Sequence, residues 1–243
     1  MRGSDRLRNP ETDRASHPLV YRLYRQFCRG IYGWAAPVYD SVADLVSGGQ
    51  WENWLRLARD EVDEGRVLEI GFGTGRLQAL LARRRDLEVH GLELSADMQS
   101  RCKKRMRREG LETHRVRGNG MCLPYGDQSF DMILATFPEE YIVHSETLGE
   151  FFRVLRPGGK VMLLGRWISL RSTWLGKCFP VFYRRPSDEE CKSLISEVRN
   201  CGLDAKMEHR ILSKVVHHLV HMSKPNHTDS NSPVTPQSIR DGL

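Results

Sequence analysis

The chain has 243 residues, 40% of them hydrophobic and 28% charged, as is typical of a soluble globular protein with one substantial core. No apolar run approaches the ~18–20 residues of a membrane-spanning helix, and the polar N-terminus lacks the apolar segment of a signal peptide, which predicts a cytoplasmic protein. The six cysteines show neither a CxxC pair nor zinc-ligand spacing, and the net charge of +6 fits a basic solvated surface as well as an anionic partner.

The N-terminal part predicts a disordered segment followed by a helical cap. Residues 1–17 are polar and irregular. Over residues 18–34, apolar side chains recur every four positions opposite several arginines, which predicts a basic amphipathic helix. Two further helices are predicted over residues 38–47 and 50–62. The cap is therefore assigned to residues 18–63.

Residues 64–222 alternate between short apolar runs and amphipathic helices, which predicts a parallel sheet built from right-handed strand–helix–strand units. The expected order is strand 66–71, helix 75–85, strand 87–94, helix 96–109 with Ser95 as N-cap, strands 113–118 and 130–137, helix 145–155, strand 160–165, helix 187–201 and two strands within 203–222. The segment after Gly165 lacks a clean period and is expected to form a cap or lid. Residues 223–243 are expected to form a disordered tail.

The stretch VLEIGFGTGRL, residues 67–77, places Gly71, Gly73 and Gly75 directly after the first predicted strand. Glycine permits tight turns and close approach of the backbone to a ligand. In an open parallel sheet, ligands bind beyond the carboxyl ends of the strands, where the strand order reverses. Glu93 ends the second predicted strand about 20 residues later, where an acid binds the hydroxyls of a ribose. These features predict a nucleoside-containing ligand.

The spacing of the glycines separates two classes of cofactor. A nicotinamide or flavin dinucleotide requires G-x-G-x-x-G, because its pyrophosphate lies on the helix N-terminus, whereas the sixth position here is Arg76. Glu69, two residues before the first glycine, would repel a pyrophosphate but suits a cationic group. S-adenosylmethionine carries an amino group and a sulfonium and no phosphate. The electrostatics therefore favour S-adenosylmethionine.

Over roughly residues 31–165, the sequence resembles the class I S-adenosylmethionine-dependent methyltransferases. Four blocks resemble the family's glycine motif, ribose-binding block, G-D-A-x-x-L-P-F-x-D-x-S-F-D segment and last block, in that order: VLEIGFGTGRL, VHGLELSADM, GNGMCLPYGDQSFDMILATF and FFRVLRPGGKVMLL. The match is closest to the small-molecule branch that includes ubiquinone/menaquinone-biosynthesis and phospholipid N-methyltransferases. The resemblance implies a Rossmann-like, doubly wound α/β fold. Its seven-stranded sheet would be mostly parallel with an antiparallel last strand, and the helical cap would precede it.

The resemblance also implies which residues bind S-adenosylmethionine. Glu93 would bind the ribose, Met98 would lie near the adenine, and Tyr39 belongs to a segment that lies near the cofactor. Asn119 stands where the family has an acid, and it offers the adenine amine an acceptor without charge. The predicted cofactor-binding residues are Tyr39, Glu69, Gly71, Gly73, Thr74, Gly75, Glu93, Leu94, Met98, Asn119, Gly120, Met121, Thr136 and Phe137.

The catalytic residues are unknown from the sequence, and Glu139, Glu140 and Tyr141 are candidates. The two glutamates would orient or deprotonate a nucleophile, or else cap the next helix. The FPEEY segment that contains all three shares only a proline and a displaced aromatic with the N-P-P-[FY] corner of methyltransferases that act on nucleic-acid bases. No nucleic-acid partner is therefore expected.

Three histidines, His217, His218 and His221, fall close together in the last predicted strand. No carboxylate or cysteine lies near them in the sequence, so we interpret them as residues of an edge strand. No metal site is predicted for the protein.

The predicted function is transfer of a methyl group from S-adenosylmethionine to a small, hydrophobic or lipid-like acceptor. The basic helix over residues 18–34 would either pack on the domain or contact an anionic membrane surface, which would add membrane association to the expected cytoplasmic location. The alternatives are a non-catalytic S-adenosylmethionine-binding domain and a nucleic-acid base methyltransferase.

Overall fold

The computed structural model describes residues 39–170, 183, 185–213 and 215–226. The predictions of a disordered N-terminus and of a basic helix over residues 18–34 lie outside this part of the chain, as does most of the predicted lid and tail. Within the described residues, no helix combines the length and apolar character needed to cross a bilayer.

Helices and strands alternate along the described chain. In chain order they are α1 (Tyr39–Val46), α2 (Trp51–Asp60), β1 (Gly65–Ile70), α3 (Arg76–Ala82), β2 (Leu87–Glu93), α4 (Ala96–Glu109), β3 (His114–Arg117), β4 (Phe130–Thr136), a 3₁₀ turn (Glu140–Val143), α5 (Ser145–Val154), β5 (Leu155–Leu170), α6 (Asp188–Asn200), β6 (Asp204–Leu212) and β7 (Val215–Ser223). The helix α4 shows why local signals succeed: the Ser95 hydroxyl accepts from the Met98 amide, and Gly110 ends the helix with a φ of +65°.

The strands form one seven-stranded sheet in the order β3-β2-β1-β4-β5-β7-β6. β7 runs antiparallel to both of its neighbours, and the other adjacent strands pair in parallel. This arrangement confirms the predicted doubly wound α/β sheet. The strand order reverses between β1 and β4, so a ligand site is expected beyond their carboxyl ends.

Alternate residues of the central strands belong to two separate apolar cores, as the two-residue period of a strand requires. Leu68 and Ile133 belong to the core that includes residues of α5 and α6. Val67 and Leu134 belong to the core that includes Trp54 of α2 and several residues of α3. The sheet is thus buried on both faces, and its loops at the carboxyl ends are held at fixed positions.

The strand β5 is longer at both ends than the sequence predicted. The register between β5 and β7 shifts between Leu163 and Trp167, and Gly165 has a φ of +83°, as at a β-bulge. Because the bulge accommodates the register shift, β5 continues to pair with β7 as far as Leu170, and Trp167 is buried. The expected loss of regular structure directly after Gly165 was therefore wrong.

The interpretation of the three histidines as edge-strand residues was also wrong. β7 lies between β5 and β6, and the sheet edges are β3 and β6. His217 is 0% exposed and lies edge-on to Trp54, with 4.9 Å between ring centroids. Burial lowers the pKa of His217 and of His218 to about 4, so both imidazoles are neutral at pH 7. These histidines contribute packing between strands.

The predicted tail begins slightly later than residue 223. Ser223 is the last residue of β7, and Lys224 is buried, with its ammonium donating to the carbonyl oxygens of Phe152 and Leu155 at 2.7 and 2.9 Å. These bonds satisfy carbonyl groups at the end of α5, where a cation is favourable.

Candidate cofactor site

A small cleft lies at the carboxyl ends of β1 and β4, where the strand order reverses. We call it the cofactor cleft, and it is lined by Tyr39, Trp51, Leu55, Glu69, Gly71, Phe72, Gly73, Thr74, Arg76, Leu77, Thr136 and Phe137. Seven of the predicted binding residues therefore meet in one cleft: Tyr39, Glu69, Gly71, Gly73, Thr74, Thr136 and Phe137.

The three glycines after β1 all have left-handed backbones, with φ values of +72°, +54° and +81° at Gly71, Gly73 and Gly75. A Cβ atom added at Gly71 or Gly73 would meet no protein atom within 4 Å, so these two faces are open to the cleft. A Cβ atom at Gly75 would instead overlap the Cys102 sulfur. Gly71 and Gly73 thus leave room for a ligand, whereas Gly75 allows α4 to pack against the turn and does not line the cleft.

Glu69 is a buried carboxylate at the end of β1. Its side chain is 1% exposed, and its Oε2 atom has no hydrogen-bond partner among the described residues. Burial raises the pKa of Glu69 to about 8, although a hydrogen bond with Gln78 partly opposes the rise. A buried carboxylate with an unused oxygen is costly unless a cation or a donor joins it. The site therefore favours a ligand with a positively charged donor group.

Glu93 joins the end of β2 to the glycine turn. One of its carboxylate oxygens accepts from the Gly73 amide at 3.0 Å, and the other accepts from the Ser95 amide at 2.8 Å. Burial raises the pKa of Glu93, and these amide bonds oppose the rise. Each oxygen keeps a second lone pair that can accept from a ribose hydroxyl. The predicted ribose acid thus adjoins the cleft without lining it.

The residues predicted to bind the adenine lie beside the cleft, at the ends of β2 and β3. Leu94 is 62% exposed, and Asn119 is exposed with its side-chain oxygen accepting from the Met121 amide at 3.1 Å. Gly120 is buried, and a Cβ atom there would lie 2.9 Å from the Tyr141 ring. Leu94 follows Glu93 directly in the chain, and Asn119 and Gly120 follow β3.

Met98, which was predicted to lie near the adenine, is a residue of α4. Its side chain is 0% exposed beneath α4, so it offers no surface to a ligand. The family block placed Met98 near the adenine by its position in the sequence, but the helix turns this side chain into the protein interior.

None of the three catalytic candidates lines the cofactor cleft. Glu139 and Glu140 are exposed at the start of the 3₁₀ turn, and the Glu139 side chain makes no capping hydrogen bond there. Tyr141 is half-buried, and burial raises its pKa to about 12. The phenol is therefore protonated at neutral pH and is unsuited to act as a base.

The described part of the helical cap is fastened to the glycine turn by hydrogen bonds. The Thr74 hydroxyl donates to one carboxylate oxygen of Asp40 at 2.7 Å, and Arg105 donates to the other at 2.6 Å. Arg76 pairs with Asp44 of α1 at 2.8 Å and contacts Glu52 of α2 at 3.5 Å. The Arg76 side chain is thus held by ion pairs with the cap.

Aromatic rings form the end of the cleft near β4. Phe137 has a φ of +52°, which is uncommon for a residue other than glycine, and its ring stacks on Trp51 with 4.1 Å between centroids. A Cβ atom at Gly165 would overlap the Phe137 ring, so this glycine makes room for it. Strained residues that the surrounding structure holds in place often mark functional sites. The stacked pair supplies an apolar surface in the cleft that Glu69 also lines.

The chain resembles known methyltransferases in sequence and in fold. Residues 67–159 match the methyltransferase-domain family. A demethylmenaquinone methyltransferase of Thermus thermophilus is 32% identical over 134 residues, which cover 53% of this chain and 61% of the relative. A ubiquinone/menaquinone biosynthesis C-methyltransferase of Bartonella quintana is 32% identical over 145 residues, 56% of each chain. The matched region therefore spans less than two thirds of either relative.

A solved structure has the same fold. A putative S-adenosyl-L-methionine-dependent methyltransferase from Methanococcus maripaludis superposes with a TM-score of 0.61 and 19% identity, covering 79% of this chain and 93% of that one. Residues 67–159 therefore form a methyltransferase domain of the class I S-adenosylmethionine-dependent kind. The predicted family, fold and cofactor are thereby confirmed.

The geometry of the cofactor cleft fits S-adenosylmethionine. The unpartnered oxygen of Glu69 suits the cofactor's ammonium group, and the open faces of Gly71 and Gly73 leave room along the turn. Among the described residues, Arg76 is the arginine that lines the cleft, and it pairs with the cap. A pyrophosphate would meet the buried Glu69 carboxylate instead of a cation.

Sequence reasoning missed five residues that line the cofactor cleft: Trp51, Leu55, Phe72, Arg76 and Leu77. The tryptophan was visible in the sequence as part of the GQWENW stretch, but nothing local showed that it would stack on Phe137. Arg76 was noted only as a departure from dinucleotide spacing.

We predict that binding of S-adenosylmethionine depends on the protonation of Glu69. The free carboxyl has a pKa of about 8, and the bound ammonium favours the carboxylate, so binding releases a proton below pH 8. Affinity should therefore rise with pH, by roughly tenfold per unit between pH 6 and 7.5. Calorimetry in buffers of different ionisation enthalpy measures both the affinity and the proton release.

The matched control is Glu69→Gln, which keeps the shape of the side chain but cannot ionise. It should bind S-adenosylmethionine more weakly, with no pH dependence from this group. The range ends at pH 7.5 because the ligand's own amino group titrates above it. An equal pH dependence in the variant and in the natural protein would exclude Glu69 as the titrating group.

Proposed function

We propose that this methyltransferase transfers a methyl group from S-adenosylmethionine to a small, hydrophobic, lipid-like acceptor that binds at the aromatic end of the cofactor cleft. The observation that carries the proposal is the stack of Phe137 on Trp51, held by a left-handed backbone and by the space at Gly165. The two curated relatives are named for menaquinone and ubiquinone biosynthesis, which supports a planar, apolar acceptor.

The residues of the cleft position the reactants and exclude water. When bound, S-adenosylmethionine supplies a methyl group on an already activated sulfonium, so an acid catalyst is unnecessary. Glu69 would hold the ammonium end, and Glu93 would hold the ribose. The rings of Trp51 and Phe137 would cover the acceptor and remove water from it, which strengthens attraction between charges in the cleft.

The proposed acceptor is nucleophilic without help from a protein base. Among the described residues that line the cleft, Glu69 is the carboxylate, and its proposed role is at the ammonium end. The remaining polar groups include the hydroxyls of Tyr39 and Thr136, which are weak bases. An electron-rich aromatic carbon, such as that of a reduced quinone ring, meets this requirement better than an alcohol or a protonated amine. Its bond to the methyl group forms as the sulfur–methyl bond breaks, S-adenosylhomocysteine leaves, and the ring carbon then loses its proton to water.

The assay is transfer of a labelled methyl group to defined acceptors. We expect label on a demethylated naphthoquinol kept reduced, and little on the same ring kept oxidised, because oxidation removes electron density from the ring carbon. Phe137→Leu keeps an apolar side chain but loses the stacked ring, and turnover should fall about tenfold or more. Its affinity for S-adenosylmethionine should fall less than its turnover.

Two results would contradict the proposal. Binding of S-adenosylmethionine without transfer to any lipid-like acceptor would favour a non-catalytic binding domain. Transfer to single-stranded DNA or RNA would favour a nucleic-acid base methyltransferase. The names of the relatives support an enzyme that acts on a small molecule over both alternatives.

We further propose a cytoplasmic protein that associates with membranes through residues 18–34, which lie outside the described part of the chain. The support is the sequence: residues 15–39 contain no Asp or Glu, and Arg22, Arg25 and Arg29 accompany an apolar stripe. Each arginine near an anionic surface contributes about 1 kcal/mol. Sedimentation with liposomes should rise with anionic lipid and fall with salt. Replacing the three arginines by glutamate should abolish it, and no sedimentation of the natural protein would refute the proposal.

A further inference from the structure

Three potential metal ligands lie together at the amino ends of β2 and β3, away from the cofactor cleft. They are Glu88, His90 and His114, and one ligand atom from each lies within 4.8 Å of the others. Glu88 and His90 are two residues apart on β2 and so share a face, and His90 is the register partner of His114. Glu93, at the other end of β2, serves the cofactor site.

The packing around His90 holds its ring in place. The ring stacks on His114 with 4.7 Å between centroids, and it lies edge-on to Tyr125 and to Phe130 at 6.0 and 5.2 Å. His90 Nε2 lies 2.9 Å from one carboxylate oxygen of Glu88. Glu88 and His114 are exposed at the protein surface, whereas the half-buried His90 provides a fixed ligand.

We propose that Glu88, His90 and His114 bind a divalent transition-metal ion of the zinc class, with water in the remaining position. Two imidazoles and one carboxylate form a donor set that Zn²⁺ accepts, and no sulfur ligand is required. Tetrahedral bonds of about 2.0–2.1 Å place ligand atoms about 3.3 Å apart, so the ligand atoms that are farthest apart must close in by up to about 1.5 Å. The ion would tie β3, a four-residue edge strand, to β2.

Arg66 competes with the ion for Glu88. Its guanidinium donates to both carboxylate oxygens, each at 2.8 Å. A metal ion must share Glu88 with Arg66 or displace Arg66 from it. The ion pair is exposed, so the free-energy cost of breaking it is small. This competition allows a second test, in which a substitution is expected to strengthen metal binding instead of weakening it. Removing the charge of Arg66 should tighten metal binding.

The experiment measures Zn²⁺ binding to the full chain by competition with a chromophoric chelator at pH 7. We expect one ion per chain. His90→Gln and His114→Gln should each weaken binding at least about tenfold, and Arg66→Gln should tighten it about two- to fivefold. His144→Gln, which changes an exposed histidine outside the cluster, should bind as the natural protein does.

A Co²⁺ spectrum distinguishes the cluster from thiols such as the exposed Cys122. The proposed site should give visible bands without a sulfur-to-metal charge-transfer band, and His114→Gln should lose those bands. Unchanged binding of S-adenosylmethionine shows that the His114→Gln protein is folded. Failure to bind one ion per chain, or equal binding in both histidine variants and the natural protein, would overturn the proposal.

Discussion

The left-handed backbone of the turn between β1 and α3 is the constraint on which the cofactor site depends. Gly71 and Gly73 keep the cleft open because neither has a side chain where the ligand would lie. The turn is held from two sides: Glu93 accepts from the Gly73 amide, and Asp40 accepts from the Thr74 hydroxyl. One short turn thereby joins the sheet to the described part of the helical cap.

The cleft divides its chemistry between two ends. At one end, the buried Glu69 has an unused oxygen and a raised pKa, so a cationic group of the ligand stabilises its charged form. At the other end, Phe137 stacks on Trp51 and supplies apolar surface. This division suits a reaction in which the cofactor is already activated and the protein supplies position and desolvation.

Local patterns predicted most of the fold, and long-range contacts account for the errors. The strand β1 and the capped helix α4 could be recognised because hydrophobic period and capping residues act within one element. The extension of β5 beyond Gly165 depends on a bulge that accommodates the Phe137 ring from another strand. The interior position of β7 depends on strand order, which no single stretch of sequence contains.

The residues of the site also divide into those that local patterns predict and those whose roles depend on long-range contacts. The glycines, Glu69 and Glu93 could be predicted because one motif places them at the ends of adjacent strands. Trp51 and Arg76 could not, because their roles depend on how α1 and α2 pack over the turn. The burial of Met98 could not be predicted from its motif, because it depends on how α4 packs on the sheet.

The most direct test of this account compares two glycines with similar backbones. Gly71 and Gly110 have φ values of +72° and +65°, and neither has a protein atom within 4 Å of an added Cβ, but only Gly71 lines the cleft. Alanine at either position should cost about 1–2 kcal/mol of folding stability. The account predicts that Gly71→Ala weakens S-adenosylmethionine binding about tenfold or more while Gly110→Ala does not. Equal affinity of the two variants, measured by calorimetry, would contradict it.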